Sequence, residues 1–310
     1  MTRRVALLFA LLLVVSCGTA TAPAPSATIG IVKASGTAAA FPASITDFQN
    51  RSVAISKRPE RIVSIGPSNT EFLFALGVGD RVVGTDDFSD EPAAAKTKEH
   101  VGGVKVSLEK VVSLKPDLII TVKFSDGTIE ALSQLNAAVL VVDPQGAADV
   151  ARSATLIGQA VGADGAKLAR DIQTQLDAVK AKTDTAPKAK VFHEVDASDQ
   201  AKIYTVGPGS FIDDLIKIAG GTNVFASAKT AYPTVSGEEI IRTDPDVIVL
   251  GDALYGTSVD SVTSRPGWSG LSAVKNKRVY AGLSLFSRPG PRLGLAAQEY
   301  AKLVHPELFK

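Results

Sequence analysis

The stretch SLEKVVSLKPDLII beginning at Ser107 is written again as SGEEIIRTDPDVIV beginning at Ser236, so that Glu109, Pro116 and Asp117 recur as Glu238, Pro245 and Asp246, each 129 positions further on. A serine, a glutamate two residues later, a Pro-Asp pair and an apolar run describe a helix followed by a strand, made twice. A second pair agrees with the first: NTEFLFALG from Asn69 recurs as FIDDLIKIAGG from Phe211, with Glu71 and Asp214 each six residues before a glycine. Both stretches carry apolar residues at helical spacing and end at Gly77 or Gly220, where a left-handed residue closes a helix. Each follows a β-rich segment and a Gly/Pro/Ser turn, RIVSIGPS from Arg61 and IYTVGPGS from Ile203. A chain that repeats strand, turn, helix, glycine, strand builds one α/β lobe, crosses over and builds a related one, with a cleft between them.

The N-terminus predicts export. Arg3 and Arg4 precede an apolar run from Val5 to Val15, too short to span a bilayer and of the length of a signal-peptide core. Val14-Val15-Ser16-Cys17 resembles a bacterial lipoprotein cleavage box, and Cys17 is the single cysteine of the chain. The resemblance implies a signal over residues 1–16, cleavage before Cys17 and its acylation, more than one chain giving stable anchoring. An ordinary secretory signal with an incidental cysteine is the other reading. With no second thiol there is no disulfide framework. Residues 17–43 are then the lipidated cysteine and a flexible tether of Ala, Thr, Ser, Gly and Pro, with little to bury. The formal charge of +1 becomes −1 once Arg3 and Arg4 leave with the signal, and no basic field points to nucleic acid.

From about Ser44 the pattern predicts an N-terminal lobe over 44–146, an interlobe helix over 147–186 and a C-terminal lobe over 187–310. A hairpin is expected in DFQNRSVAI from Asp47, with Asn50-Arg51 near its turn. Strands are expected at Ile62–Ile65, Val82–Gly84, Leu118–Val122 and Val139–Val142, with helices at Thr70–Leu76, Leu108–Leu114 and Gly127–Leu135. Residues 147 to about 182 lack proline and keep helical periodicity, which predicts one long helix between the lobes, with Gly162 and Gly165 as points of kinking or interruption.

RIVSIGPSNTEFLFALGVGDRVVG, SLEKVVSLKPDLII, YTVGPGSFIDDLIKIAGGTNVF, VSGEEIIRTDPDVIVL, RPGW at Arg265 and RPGPRL at Arg288 together resemble the substrate-binding lipoproteins of bacterial ABC importers for cobalamin, ferric siderophores and haem. The resemblance runs in order through almost the whole mature chain. It implies two Rossmann-like lobes joined by one long rigid helix, a shallow cleft for a large cobalt or iron chelate, and little closure on binding. It also implies a permease dimer with a cytoplasmic ATPase as partner, a monomeric receptor held at the outer face of the cell membrane, and no cofactor of its own.

Ser107 and Ser236 are placed as N-caps, which puts Glu109 and Glu238 in a first helical turn, where the helix dipole alone accounts for an acidic side chain. Their equivalence in two pseudo-symmetric lobes carries the second reading, and the resemblance supplies its partner: permease arginines that receive one glutamate from each lobe. Glu239 competes with Glu238, but only Glu238 has the serine spacing of Glu109.

Ligand contacts are expected on loops at the strand ends facing the cleft. Phe88 and Tyr232 sit beside turn residues and offer rings for stacking, loop packing being the alternative. Tyr204 and Phe286 lie in two of the same loops, and Lys123 in a third. Compared with the cobalamin binders, Phe88 stands at a ligand-contacting tyrosine, Tyr232 at a tryptophan and Arg288 at a cleft arginine. A tryptophan those proteins carry between Val101 and Leu108 is missing from VGGVKVS, and Trp268, the one tryptophan here, reads as structural. Arg288, with Lys123 or Lys105, equally suits siderophore carboxylates or haem propionates. Arg288 and Arg292 also read as a salt-bridged helix entrance.

His100, His193 and His305 are widely separated, which argues against direct metal capture; His193 is also placed to reach the cleft as an axial ligand, or to be a core or surface residue. GPGS at Gly207 lacks a full glycine fingerprint, and the chain has no nucleophile elbow, zinc motif or P-loop lysine. A two-lobed nucleotide-dependent enzyme is the alternative, separated from a carrier by turnover.

Overall fold

A computed structural model describes residues 40–310, so the expected signal, Cys17 and most of the tether lie outside the described residues. The described chain opens with a hairpin of β1 (Ala43–Thr46) and β2 (Ser52–Ile55), with Asn50 at a φ of 59° in its turn. There follow β3 (Ile62–Ile65), α1 (Pro67–Ala75), β4 (Val82–Thr85), β5 (Glu99–His100), α2 (Leu108–Ser113), β6 (Leu118–Thr121), α3 (Thr128–Ser133) and β7 (Ala138–Val141). Their five strands form a parallel sheet in the order β5-β4-β3-β6-β7. Central strands β3 and β6 are buried at every residue, as a parallel sheet covered on both faces requires. The chain winds outward from β3 to β5 and restarts at β6 on the other side, so the strand order reverses between β3 and β6. The turns after those two strands are pressed together: a side chain at Gly66, whose φ is 109°, would come within 2.6 Å of Val122 Cγ1.

Two helices connect the lobes where one was expected. α4 (Ala147–Val161) ends at Gly162 in the left-handed conformation, φ 70°, and α5 (Gly165–Thr183) starts again from Asp164, whose carboxylate accepts the Lys167 amide at 2.9 Å. The break falls at the glycines where the sequence allowed one, and it makes the run a helical hairpin rather than a single rod. Gly162 reverses the chain at low cost, and Gly158 and Gly165 lack the side chains that would hold the two helices apart, so that a methyl at Gly158 would overlap the Gly165 backbone.

β8 (Ala189–Asp196), β9 (Ile203–Thr205), α6 (Phe211–Ile218), β10 (Gly221–Asn223), β11 (Thr234–Val235), α7 (Gly237–Thr243), β12 (Val247–Leu250), α8 (Val259–Thr263), α9 (Ser272–Lys275), β13 (Val279–Ala281) and α10 (Leu293–Val304) complete the chain. The sheet runs β11-β9-β8-β12-β13, with β10 also on β8. Strands β10, β12 and β13 join in parallel, whereas β9 and β11 are antiparallel additions.

The written repeat is a structural one. Asp117 accepts the amides of Glu60 and Arg61, both at 2.9 Å, at the start of β3, and Asp246 accepts the Lys190 amide at 2.7 Å near the start of β8. Lys115 and Asp244, again 129 apart, close α2 and α7 at φ 47° and 44°. Gly77 and Gly220 take φ of 74° and 81° after α1 and α6. The largest apolar cluster does not stop at either lobe: it runs from Ile62, Leu118 and Leu140 through Ile157, Ile172, Leu215 and Tyr300 to Val191 and Val249. Separate clusters fill the outer face of each sheet.

Candidate functional site

The C-terminal edges of the two sheets face each other. Three crossings show it. Asp143, two residues past β7, lies near Tyr232 of the other lobe, and its charge adds to the burial that raises the Tyr232 phenol pKa. The Ala147 amide, at the start of α4, donates to Asp214 of α6 at 2.9 Å. Glu71 of α1 receives Arg292 on both carboxylate oxygens, at 2.7 and 2.8 Å, and Arg288 at 3.3 Å. Arg288 also reaches Asp90 at 2.6 Å. Glu71 is 1% exposed, so these bonds are made away from water, where a fork-on-fork pair is strong.

A buried polar chain holds the loop after β4 in place. Ser64, Thr70 and Ser89 are linked through their hydroxyls at 2.8 Å, Ser89 donates to Asp86 at 3.1 Å, and Asp86 also accepts the amides of Gly66 and Phe88. The loop is thereby tied to the end of β3, and Phe88 stands 53% exposed on its outside, its ring over Gly103. Across the gap Tyr232 is 42% and Tyr204 48% exposed, Tyr204 facing away from buried Ile203 and Thr205 on β9. Lys123 is exposed beside Asp143, whose carboxyl pKa is raised by burial and pulled back by the lysine charge.

Two expected ligand contacts are corrected. Phe286 is 1% exposed with its ring centroid 5.0 Å from that of Tyr300, so it is core and offers no face to a ligand. The loop it belongs to turns it inward because Phe286 anchors a short 3₁₀ turn, Ser284–Ser287, on α10. Arg288 is not a freely offered cation: like Arg292 it is engaged by carboxylates of the opposite lobe, which is the salt-bridged reading. Trp268 is structural, 2% exposed, with the Arg265 guanidinium 4.7 Å above its ring and forked onto buried Glu194.

Glu109 and Glu238 are both exposed in the first turns of α2 and α7. Ser107 and Ser236 cap these helices, accepting the Lys110 amide at 3.4 Å and the Glu239 amide at 3.2 Å. Glu239 closes a capping box on the Ser236 amide at 2.8 Å, and that backbone bond lowers its carboxyl pKa. Glu238 makes no such bond. Of the two exposed neighbours, Glu239 is held in the cap and Glu238 is not. Because α2 and α7 each lead back into a parallel strand, both acidic tips lie at the C-terminal edge of their sheet.

His193 is 2% exposed, its Nδ1 3.0 Å from the Tyr300 hydroxyl and its ring stacked at 5.9 Å, and burial lowers its pKa to about 3. It is a core residue and does not reach the cleft. His100 meets Asp87 and His305 meets Glu307. Among the described residues no group of three or more His, Cys, Asp or Glu converges as a metal site.

The sequence reading missed the acidic side of the clasp, Glu71 and Asp90, and a rim of apolar residues after β12 and β13. Leu254 is 51%, Tyr255 90% and Leu283 44% exposed on turns that leave the C-terminal ends of those strands. For Glu71 a signal existed: a lone acid on an otherwise apolar helical face. Its partners are more than 200 residues away and could not be named from spacing.

With this geometry the chain compares as follows. A family profile described as periplasmic binding protein matches residues 62–284, more than half of the chain. The uncharacterized ABC transporter substrate-binding lipoprotein YvrC of Bacillus subtilis (strain 168) is 37% identical over 281 residues, covering 87% of this chain and 88% of that protein. The vitamin B12-binding protein of Vibrio vulnificus (strain CMCP6) is 30% identical over 259 residues, covering 80% and 91%. The crystal structure of the periplasmic vitamin B12 binding protein BtuF of Vibrio cholerae superposes with a TM-score of 0.68 at 26% identity, over 81% of this chain and 98% of that one. Two duplicated α/β lobes, facing sheet edges and a match running through both lobes make one conclusion: the chain belongs to the periplasmic binding protein family.

Proposed function

We propose that this protein is the lipid-anchored, extracytoplasmic receptor of an ABC importer, capturing a metal-chelate nutrient and delivering it to a permease dimer driven by a cytoplasmic ATPase. A signal over residues 1–16, acylated Cys17 and a tether to residue 43 keep it, as a monomer, at the outer face of the membrane. Cobalamin is the first-choice ligand, a ferric siderophore the second and haem the third. The observation that carries the reading is the pair of exposed, equivalent glutamates, Glu109 and Glu238, each in the first turn of a serine-capped helix on its own lobe. A partner with two-fold symmetry meets one acidic tip from each lobe, and such charges steer docking and fix register more than they add affinity.

Phe88, Tyr204 and Tyr232 supply ring faces for a large chelate, and Lys123 a polar contact. ATP acts on the partner, so the receptor binds stoichiometrically and turns nothing over. Reversing both charges, Glu109→Lys with Glu238→Lys, is expected to cut uptake of labelled chelate at least about tenfold while the dissociation constant in solution stays within about twofold. Unchanged uptake, or lost affinity, overturns the docking role. Titration with cyanocobalamin, a siderophore panel and haemin assigns the ligand.

A further inference from the structure

Glu71 and Asp90 from one lobe and Arg288 and Arg292 from the other sum to zero charge. Three of the four are largely out of water, at 1% exposure for Glu71, 15% for Arg288 and 13% for Arg292. An anionic ligand that drew either guanidinium away would leave the Glu71 carboxylate buried and short of partners, which strongly disfavours the exchange. The guanidiniums are therefore spent on holding the lobes together.

The other charged groups on the facing edges do not make up for them. On the first lobe Lys123 opposes Asp143 and Lys105 opposes Asp126, while Asp87 meets His100 and Glu91 adds a further negative charge near Arg292. On the second, Lys229 is exposed, Asp196 ends β8 and Asp252 is buried at 5%. Among the described residues these lysines are matched or outnumbered by nearby carboxylates, so the edge carries no net positive field of the kind that draws a polyanion. It offers apolar surface instead: Phe88, Tyr204, Tyr232, Leu254, Tyr255 and Leu283 are each more than 40% exposed around it. Tyr255 at 90% is the most exposed of them and sits on the turn that follows the C-terminal end of β12.

We infer that the cleft selects a chelate with no net negative charge and rejects polyanionic chelates, with Arg288 and Arg292 acting as an interlobe clasp and Leu254 and Tyr255 as additional ligand-contacting residues. This rests on the chelate-receptor reading and narrows it. Among the candidate classes, an electroneutral corrinoid or a neutral or cationic ferric hydroxamate fits, whereas a ferric tricatecholate and the dicarboxylate haem do not.

The test is calorimetric titration of the mature full-length protein with cyanocobalamin, a cationic ferric trihydroxamate, a ferric tricatecholate and haemin, each at two salt concentrations. At least one of the first two is expected to bind about 100-fold or more tighter than either anion, with little dependence on salt. Asp90→Asn, which frees Arg288 from its exposed partner and leaves the buried Glu71 pairs standing, is expected to improve anion binding by about tenfold, most at low salt. Tyr255→Ala is expected to weaken the preferred chelate by about tenfold, in the range of one lost ring contact. Wild-type protein that binds the tricatecholate or haemin as tightly as the uncharged chelates overturns the inference and leaves the receptor reading intact. No binding of any of the four overturns the chelate-receptor reading, and the inference with it.

Discussion

Tyr232 and Phe286 stand in comparable loops and carry similar rings, yet one is 42% exposed and the other 1%. Their substitutions should separate binding from folding. Tyr232→Ala is expected to weaken ligand binding about tenfold with a melting temperature within a degree or two of wild type. Phe286→Ala removes a ring packed on Tyr300 and is expected to cost about 3–5 kcal/mol in stability by denaturant unfolding. His193 gives a pH prediction. Burial holds its pKa at about 3, below its ordinary 6.5, so the unfolded chain takes up the proton first as pH falls. Its contribution is intact above about 6.5 and is lost progressively down to about 3. His193→Gln is expected to flatten the decline of unfolding free energy over that window by one proton's worth of slope; an unchanged slope means that other groups set the acid limb.

At the scale of elements, the hairpin of α4 and α5 depends on two glycines that let the helix backbones meet. Gly158→Ala would set a methyl against the Gly165 backbone, and the expected loss is about 1–3 kcal/mol, read as a lower melting temperature. The same substitution in an exposed helix would stabilise, so the sign of the change reports the close crossing. The caps of α2 and α7 are worth about 1 kcal/mol each, and Ser107→Ala and Ser236→Ala should lower stability by that amount while leaving Glu109 and Glu238 in place. A loss of uptake from either cap variant would mean that the orientation of the first turn matters to docking as well as its charge.

For the whole molecule, rigidity comes from more than a connecting rod. One apolar cluster runs from the first sheet through α4, α5, α6 and α10 into the second, and the Glu71 clasp ties the same halves together across the cleft. A shared core resists opening because parting the lobes would expose apolar surface at about 25 cal/mol per Å². Glu71→Gln leaves two guanidiniums with a weaker partner and is expected to lower stability by about 3 kcal/mol and to raise hydrogen exchange on both cleft edges. Protection changes confined to α1 would show that the clasp is a local support and that the core alone sets the lobe angle.

The sequence by itself determined most of what is local or periodic. Two lobes, β3, β6 and β7 to within a residue, the serine caps, the left-handed glycines after α1 and α6 and the projection of two equivalent acids all follow from spacing of apolar residues and from backbone chemistry within a few positions. It also left the break at Gly162 open, since a glycine inside a periodic run either bends a helix or ends it. Tertiary structure decided what depends on partners far along the chain. It chose the hairpin, because Gly158 and Gly165 permit close packing. It turned Phe286 into the core and committed Arg288 and Arg292 to Glu71, more than 200 residues away. Burial and charge pairing are properties of the assembled lobes, and no periodicity along the chain encodes which loop residue will face water and which will meet an opposite charge across the cleft.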